Sequence, residues 1–249
     1  MNNLISDSHL EEIATNGFVV IRGFLSDNEL SPLFEELRNL ALAFGITQKE
    51  LDSYENIDEA FVDLIEKNKR LQSPLYERLQ QIPQLLKLPS TDKIFNLSKL
   101  ILNTSHIGVW PRIQIRLDLA DDNENLIEWH TDYSYNRGTS HSYTFWLPLV
   151  SIDKAMGPIK MVPGSHKKDY AFITNSKARR HSLTLDEEVI KDLKSIQIDQ
   201  FQAGDLVLFH SKFLHTGMIN TVKNRARLVC VFRMQNLDTL EILSDNADD

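Results

Sequence analysis

One short segment of the chain carries obvious chemical potential. In Leu126-Ile127-Glu128-Trp129-His130-Thr131-Asp132 an imidazole and a carboxylate stand two residues apart. On a strand, residues i and i+2 project from the same face with Cα atoms about 6–7 Å apart. Both side chains then reach a single divalent ion. A second imidazole, His215, follows the apolar run Leu206-Val207-Leu208-Phe209 and falls on a separate predicted strand. Two imidazoles and one carboxylate on one side of an ion, with the remaining positions open, make the facial triad of non-haem Fe(II) oxygenases. The plainer reading is that an H-x-D pair decorates a surface strand and that His215 is a core or turn histidine. The two segments together, late in a succession of strands, put the metal on an even footing with the plainer reading, and spacing alone leaves both open.

Cysteine usage narrows the ligand chemistry. Cys230 is the only cysteine, which excludes intramolecular disulfides and thiolate clusters. Histidine and carboxylate must therefore hold any metal, and Cys230, within a strand run, reads as a small buried hydrophobe. His210 and His166 compete poorly as ligands. His210 precedes His215 by five residues and lacks the Thr216-Gly217 that follows it, and His166 sits in a Pro-Gly-Ser-His turn.

The elements that would position these groups are legible in outline. The chain has 249 residues, 42% hydrophobic and 25% charged, an ordinary globular composition able to bury a core. Its net charge of −8 argues against nucleic acid or an anionic membrane as the main partner. The longest apolar run is the six residues Phe145 to Val150, whereas a membrane span needs roughly 18. The segment MNNLISDSHLEE has neither a basic nor an apolar signal region, so a cytoplasmic location is expected.

Up to about residue 105 the pattern is helical apart from the β-branched run Phe18-Val19-Val20-Ile21. Asp7 or Ser8 would cap a helix ending at Gly17. Ser26 or Asp27 would cap another whose apolar face carries Leu30, Leu33, Phe34, Leu37, Leu40 and Leu42. Helices are further predicted over 48–54, 57–70 and 74–87. Beyond, strands are predicted over 112–119, 126–130, 142–149, 158–163, 195–200, 205–210, 213–219 and 226–235, with a helix over 186–194. The expected fold is α+β: N-terminal helices on one sheet of a double-stranded β-helix, or jelly roll. A single domain over 1–249 is expected, helical over residues 1–105, with a β-helix core over 106–240 interrupted by an insert at 167–194.

The ordered motifs resemble the phytanoyl-CoA dioxygenase family of Fe(II)- and 2-oxoglutarate-dependent oxygenases over almost the whole chain. Gly17 to Leu25 is similar to the family's opening strand, and Trp129-His130-Thr131-Asp132-Tyr133 to its metal motif. Phe145-Trp146-Leu147-Pro148-Leu149, Gly157-Pro158-Ile159 and Val162-Pro163-Gly164-Ser165-His166 are similar to its central run. Phe201-Gln202-Ala203-Gly204-Asp205 and His215-Thr216-Gly217 with Asn220 are similar to its closing strands.

The resemblance implies Fe(II) held by His130, Asp132 and His215, 2-oxoglutarate chelated through its keto-acid end, and O2 as oxidant. Substrate hydroxylation would then accompany release of succinate and CO2. A carboxylate at Asp132 speaks against halogenation, since related halogenases leave that position to a halide. The resemblance also implies a last-strand arginine on the distal carboxylate of 2-oxoglutarate, a pairing suited to a guanidinium fork. The usual spacing falls on Ala226, between Arg225 and Arg227. Arg227 is preferred because Leu228 to Met234 then continue as the closing strand, and Arg225 remains the alternative. Trp146 matches a family position lining the cosubstrate pocket, with plain core the equal alternative. Gln114 and Arg116 share one face of 112–119, directed either to the pocket or, more commonly for such residues, to solvent or an ion pair.

Tyr133, Tyr135, Arg137 and His141 follow the metal motif and are expected at a substrate rim. The expected partner is a small molecule; the basic insert 167–181 in an acidic chain is either a solvated loop, the commoner case, or a patch that recruits an anionic substrate. A cupin-like metal protein that does not use 2-oxoglutarate is the competing reading. A non-catalytic jelly-roll interaction protein is the third.

Overall fold

The computed structural model describes residues 5–136, 139–174 and 183–239. Arg137 and the basic run 177–181 lie outside these residues. The chain opens with α1 (Asp7–Asn16), capped by Ser6 rather than by the following residues, since the Ser6 hydroxyl accepts from the His9 N–H. It ends at Gly17, whose φ of +83° terminates the helix in the left-handed region. A Cβ at Gly17 would also lie 2.3 Å from His166 Nδ1. Strand β1 (Phe18–Ile21) follows.

Helix α2 (Asp27–Ala43) starts at a capping box between Ser26 and Glu29. It buries Leu30, Leu33, Leu37 and Ala41, while Phe34, Leu40 and Leu42 flank the core half-buried. Then come α3 (Gln48–Leu51), α4 (Ile57–Lys67), α5 (Gln72–Leu79) and α6 (Pro83–Lys87). Helix α7 (Asp92–Leu102) lies beyond the helices expected from sequence; its Ile94, Leu97 and Leu102 are buried at helical spacing. Asn103 ends it in the left-handed region at φ +49°.

The remaining elements are β2 (Ile107–Val109), β3 (Gln114–Asp118), α8 (Asp132–Tyr135), β4 (Ser142–Pro148), β5 (Lys160–Met161), β6 (Phe172–Thr174), β7 (Leu183–Leu185), α9 (Glu187–Lys191), β8 (Ile196–Gln197), β9 (Leu206–His210), β10 (His215–Thr216) and β11 (Arg227–Asn236). The major antiparallel sheet runs β1-β9-β4-β11-β2, with β3 also on β11; a minor sheet runs β10-β5-β8, and β6 pairs with β7. The fold is α+β with jelly-roll sheets, but the described strands form separate ladders rather than one closed barrel.

The expected strand over 126–130 is absent. That stretch is held instead from His215 onward, where Ile127 O accepts from the Thr216 hydroxyl at 3.0 Å and the Gly217 N–H at 3.2 Å. The minor-sheet strands shrink to two residues each.

Strand β11 organises the molecule. Alternation along a strand sends successive side chains to opposite faces. Leu228, Cys230 and Phe232 point to one face and are fully buried. There Phe232 stacks on Phe145 with ring centroids 4.9 Å apart, and α5 and α7 pack over the sheet. This is the helix-covered face the sequence anticipates. Arg227, Val231 and Arg233 point the other way and line a cleft.

Candidate active site

The cleft opens on the face of the major sheet opposite Leu228, Cys230 and Phe232, and strand register decides which side chains meet there. Residues directly opposite in an antiparallel pair share a face. Val231 lies between Gln114 on β3 and Trp146 on β4, and all three line the cleft. Arg227 is opposite Asp118, and Arg233 is opposite Thr144. Counting its open mouth, the cleft encloses about 550 Å3.

His130, Asp132 and His215 meet at this cleft, with one donor atom of each within 4.8 Å of the others. All three are buried. The pairing does not arise from strand alternation, as the sequence suggests. His130 and His215 exchange backbone hydrogen bonds in an isolated antiparallel bridge. Thr131 then breaks the extended chain by capping α8, its hydroxyl accepting from the Ser134 N–H. Asp132 is thus the first residue of a short helix, turned toward the two rings.

The imidazole orientation is fixed by backbone carbonyls. His130 Nδ1 lies 2.7 Å from Glu128 O, and His215 Nδ1 lies 3.0 Å from Phe213 O. A carbonyl only accepts, so each Nδ1 carries the hydrogen and each Nε2 presents a lone pair. Burial holds His130 well below its ordinary pKa. Burial lowers His215 as well. Both rings are therefore neutral, as ligation requires.

Asp132 is held from both sides by residues opposite each other across the sheet. Arg233 Nη2 donates to Oδ1 at 2.7 Å, and the Thr144 hydroxyl donates to Oδ2. Burial works to raise the pKa of Asp132, but the charge and hydrogen bond of Arg233 outweigh it and hold the carboxyl well below the usual carboxylate range.

At the other end of the cleft Asp118 is shared by two arginines. Arg227 donates to Oδ2 from Nη2 at 2.8 Å and from Nε at 3.1 Å, while Arg116 Nη2 donates to Oδ1 at 2.7 Å. Arg227 Nη1 also donates to Met218 O. Burial favours the neutral acid, yet the two guanidinium charges keep Asp118 well below the usual carboxylate range.

Arg225 is elsewhere. It precedes β11 in a turn closed by its own N–H on Val222 O, so strand alternation does not extend to it. Its Nε and Nη2 donate to the fully buried Asp58 of α4 at 2.7 and 3.1 Å. It ties the helical layer to the start of β11 and does not line the cleft.

Of the expected rim residues, Tyr133, Tyr135 and His141 are not among the described residues that line the cleft. Tyr135 packs edge-on against His130 at 5.5 Å, and its hydroxyl engages the backbone of Leu183. Tyr133 lies under the Lys212 ammonium at 5.6 Å. His141 is exposed. Arg137 lies outside the described residues. His166 and His210 approach each other, ring centroids 5.8 Å apart, and lie outside the triad.

Three contributors escape the sequence reading: Asp118, Thr144 and Arg233. Alternation from Gln114 and Arg116 points to Asp118, and alternation from Arg227 points to Arg233. Thr144 carries no signal apart from the register.

The site and fold define the jelly-roll class with a His/Asp/His cluster beside paired arginines. The phytanoyl-CoA dioxygenase (PhyH) family model matches residues 13–227, and the chain belongs to that family of non-haem iron, 2-oxoglutarate-dependent oxygenases. Among curated relatives, 1-deoxypentalenic acid 11-beta-hydroxylase of Streptomyces arenae is 23% identical over 224 residues, covering 82% of this chain and 71% of the relative. Among solved structures, EctD from S. alaskensis with 2-oxoglutarate and 5-hydroxyectoine superposes with a TM-score of 0.63 at 15% identity, over 96% of this chain and 79% of that one. The epimerase SnoN in complex with Fe3+, alpha ketoglutarate and nogalamycin RO gives a TM-score of 0.63 at 15% identity, over 92% and 83%. Both structural likenesses are likenesses of fold.

Proposed function

We propose that this chain hydroxylates a small organic substrate with Fe(II), 2-oxoglutarate and O2, releasing succinate and CO2. The observation that carries the reading is the buried cluster of His130, Asp132 and His215 donors within 4.8 Å of one another, on the same cleft as Arg227. The donor set of two imidazole nitrogens and one carboxylate fits ferrous iron with open positions. Bound there, iron and the keto acid supply the oxidant that replaces a substrate C–H by C–OH.

The residues divide the remaining work. His130 and His215 offer Nε2 because backbone carbonyls hold their Nδ1 hydrogens. Thr144 and Arg233 orient the Asp132 carboxylate, as carboxylate ligands generally need. Arg227, flanked by Arg116, receives the distal carboxylate of 2-oxoglutarate, with Asp118 keeping the two guanidinium groups in place. Gly217 leaves room on that path: a Cβ there would stand 3.4 Å from Arg227 Nη2. Trp146, Val231 and Phe209 make the apolar wall that excludes water from the reacting centre. The likeness to a 1-deoxypentalenic acid hydroxylase supports this reaction type.

The test is spectroscopic. Anaerobic addition of Fe(II) and 2-oxoglutarate gives the wild-type protein a weak visible charge-transfer band, lost in His130→Ala. A wild-type protein that retains iron stoichiometrically but shows no band on adding 2-oxoglutarate contradicts the proposal.

A further inference from the structure

Among the described residues, Arg233 is the cleft arginine whose hydrogen bonding is incomplete. Arg116 and Arg227 spend their donors on Asp118 and on nearby carbonyls. Arg233 spends Nη2 on Asp132 Oδ1, but its Nε is buried with no acceptor, and the side chain is only 13% exposed. A buried guanidinium N–H without an acceptor is uncommon because the group loses water and gains nothing in return. The Nε and Nη2 hydrogens lie along one edge of the planar fork, the edge that takes a carboxylate side-on.

The charge balance of the cleft points the same way. Among the described residues its walls and their bonded partners carry three guanidinium groups, Arg116, Arg227 and Arg233, and two carboxylates, Asp118 and Asp132. A divalent cation and a dianionic keto acid cancel each other. One positive charge is left over, in a site partly shut from solvent, where an uncompensated charge is costly. The Arg116–Asp118–Arg227 cluster carries a net single positive charge that the distal carboxylate of 2-oxoglutarate would neutralise; the divalent ion, the 1-carboxylate, Asp132 and Arg233 then leave the surplus at the Arg233 end.

We propose that Arg233 is a specificity-determining anion anchor: it receives the carboxylate of the oxidisable substrate, which is therefore a compact organic acid. The anchor stands beside Asp132, so the acid group would be held close to the metal end and the carbon skeleton would lie along Trp146, Val231 and Phe209. The charge count rests on the iron and 2-oxoglutarate reading above; the unpartnered Nε–H does not. The 1-carboxylate of 2-oxoglutarate has the same chemistry as a substrate carboxylate, and the experiment separates them.

The full-length protein is loaded anaerobically with Fe(II) and 2-oxoglutarate and titrated with acetate, benzoate and cyclohexanecarboxylate, and with their methyl esters. Binding is read by thermal shift and by perturbation of the visible band. The wild type binds the acids at least tenfold more tightly than the esters. Arg233→Met brings the ratio to about one and Arg233→Lys restores some of it, each measured at saturating Fe(II) and 2-oxoglutarate because Arg233 also supports Asp132. Arg233→Gln gives the same loss of preference if Arg233→Met does not fold.

Three results overturn the proposal. One is a wild type with no saturable preference for any acid. Another is an Arg233→Met protein that keeps the preference. The third is an Arg233→Met protein with a tenfold loss of 2-oxoglutarate affinity and an unchanged acid-to-ester ratio, which would assign the fork to the keto acid. An acid preference that depends on Arg233 in a protein lacking the visible band would leave the anchor standing and remove the iron and 2-oxoglutarate reading.

Discussion

His130 and His215 are joined by a single antiparallel bridge in which each backbone N–H donates to the other's carbonyl at 3.0 Å. The bridge sets their rings side by side, with centroids 4.2 Å apart. It does so across 85 residues of chain, without a regular strand at His130. The segment around Ile127 also hangs on Thr216 and Gly217, and metal bound between the rings would act as a further staple for it. A ligand that binds only the native state stabilises it by about 2.7 kcal/mol at a hundredfold excess over Kd. Divalent metal, with Co(II) as a redox-quiet probe, is expected to raise Tm in the wild type and to leave His215→Ala unchanged. An equal rise in both proteins contradicts the assignment.

The two neighbouring arginines near the start of β11 separate cleanly. Arg227→Met removes charge-assisted hydrogen bonds worth roughly 1.5–3 kcal/mol, so Kd for 2-oxoglutarate rises by about 10- to 100-fold. Arg225→Met leaves Asp58 buried and unpaired, at a cost of about 3 kcal/mol in stability. Its Kd for 2-oxoglutarate stays near that of wild type. Equilibrium titration beside urea unfolding reads both, and exchanged phenotypes would reverse the assignment.

Thr144 is the quietest member of the site. Thr144→Val preserves shape on a central strand but withdraws the donor to Asp132 Oδ2. Loss of such a supporting hydrogen bond costs roughly 10- to 100-fold in metal affinity. Competition for Fe(II) or Co(II) against a chelator measures it, and unaltered affinity shows that Arg233 alone positions Asp132.

Outside the site, His210 makes stability fall in mild acid. Burial first, then the positive charges of His166, His141 and Lys212 when those groups are protonated, lowers its pKa from 6.5 to about 4. The ring of Tyr143 closes the other side, 5.3 Å away and edge-on. A folded-state pKa below the unfolded value means that the stability is complete above about pH 6.5 and is lost as pH falls toward 4. The loss reaches at most about 3 kcal/mol. His210→Asn keeps an acceptor for the Lys212 N–H, which donates to His210 Nδ1 at 3.1 Å. The expected result is a flatter dependence of unfolding free energy on pH between 6.5 and 4; a slope identical to wild type rules the mechanism out.

What can be read from the chain follows from how local each cause is. The runs that form β4, β9 and β11 are apolar on both faces and announce themselves, as do α2 and its Ser26-x-x-Glu29 capping box. Helix α7 is hidden although Ile94, Leu97 and Leu102 keep helical spacing, because Pro83 and Pro89 make the region look broken. The 126–130 segment has the composition of a strand, but Thr131 caps α8 and the pairing with β10 is limited to the single His130–His215 bridge. His130 and Asp132 thus meet for a different reason than their spacing suggests. The contributions of Asp118, Thr144 and Arg233 depend on cross-strand register, which pairs residues about 90 to 110 positions apart and leaves no local trace. Arg225 misleads because alternation does not continue into its turn.

The central claim is that the His130, Asp132 and His215 cluster turns over 2-oxoglutarate, and succinate formation measures it most directly. Purified protein with Fe(II), ascorbate, O2 and 2-oxoglutarate, screened with compact organic acids, is predicted to release succinate above the enzyme-free control. The single variants His130→Ala, Asp132→Ala and His215→Ala are predicted to release none. Succinate at the control level from iron-loaded wild-type protein across the whole panel, or release that persists in the three variants, contradicts the account.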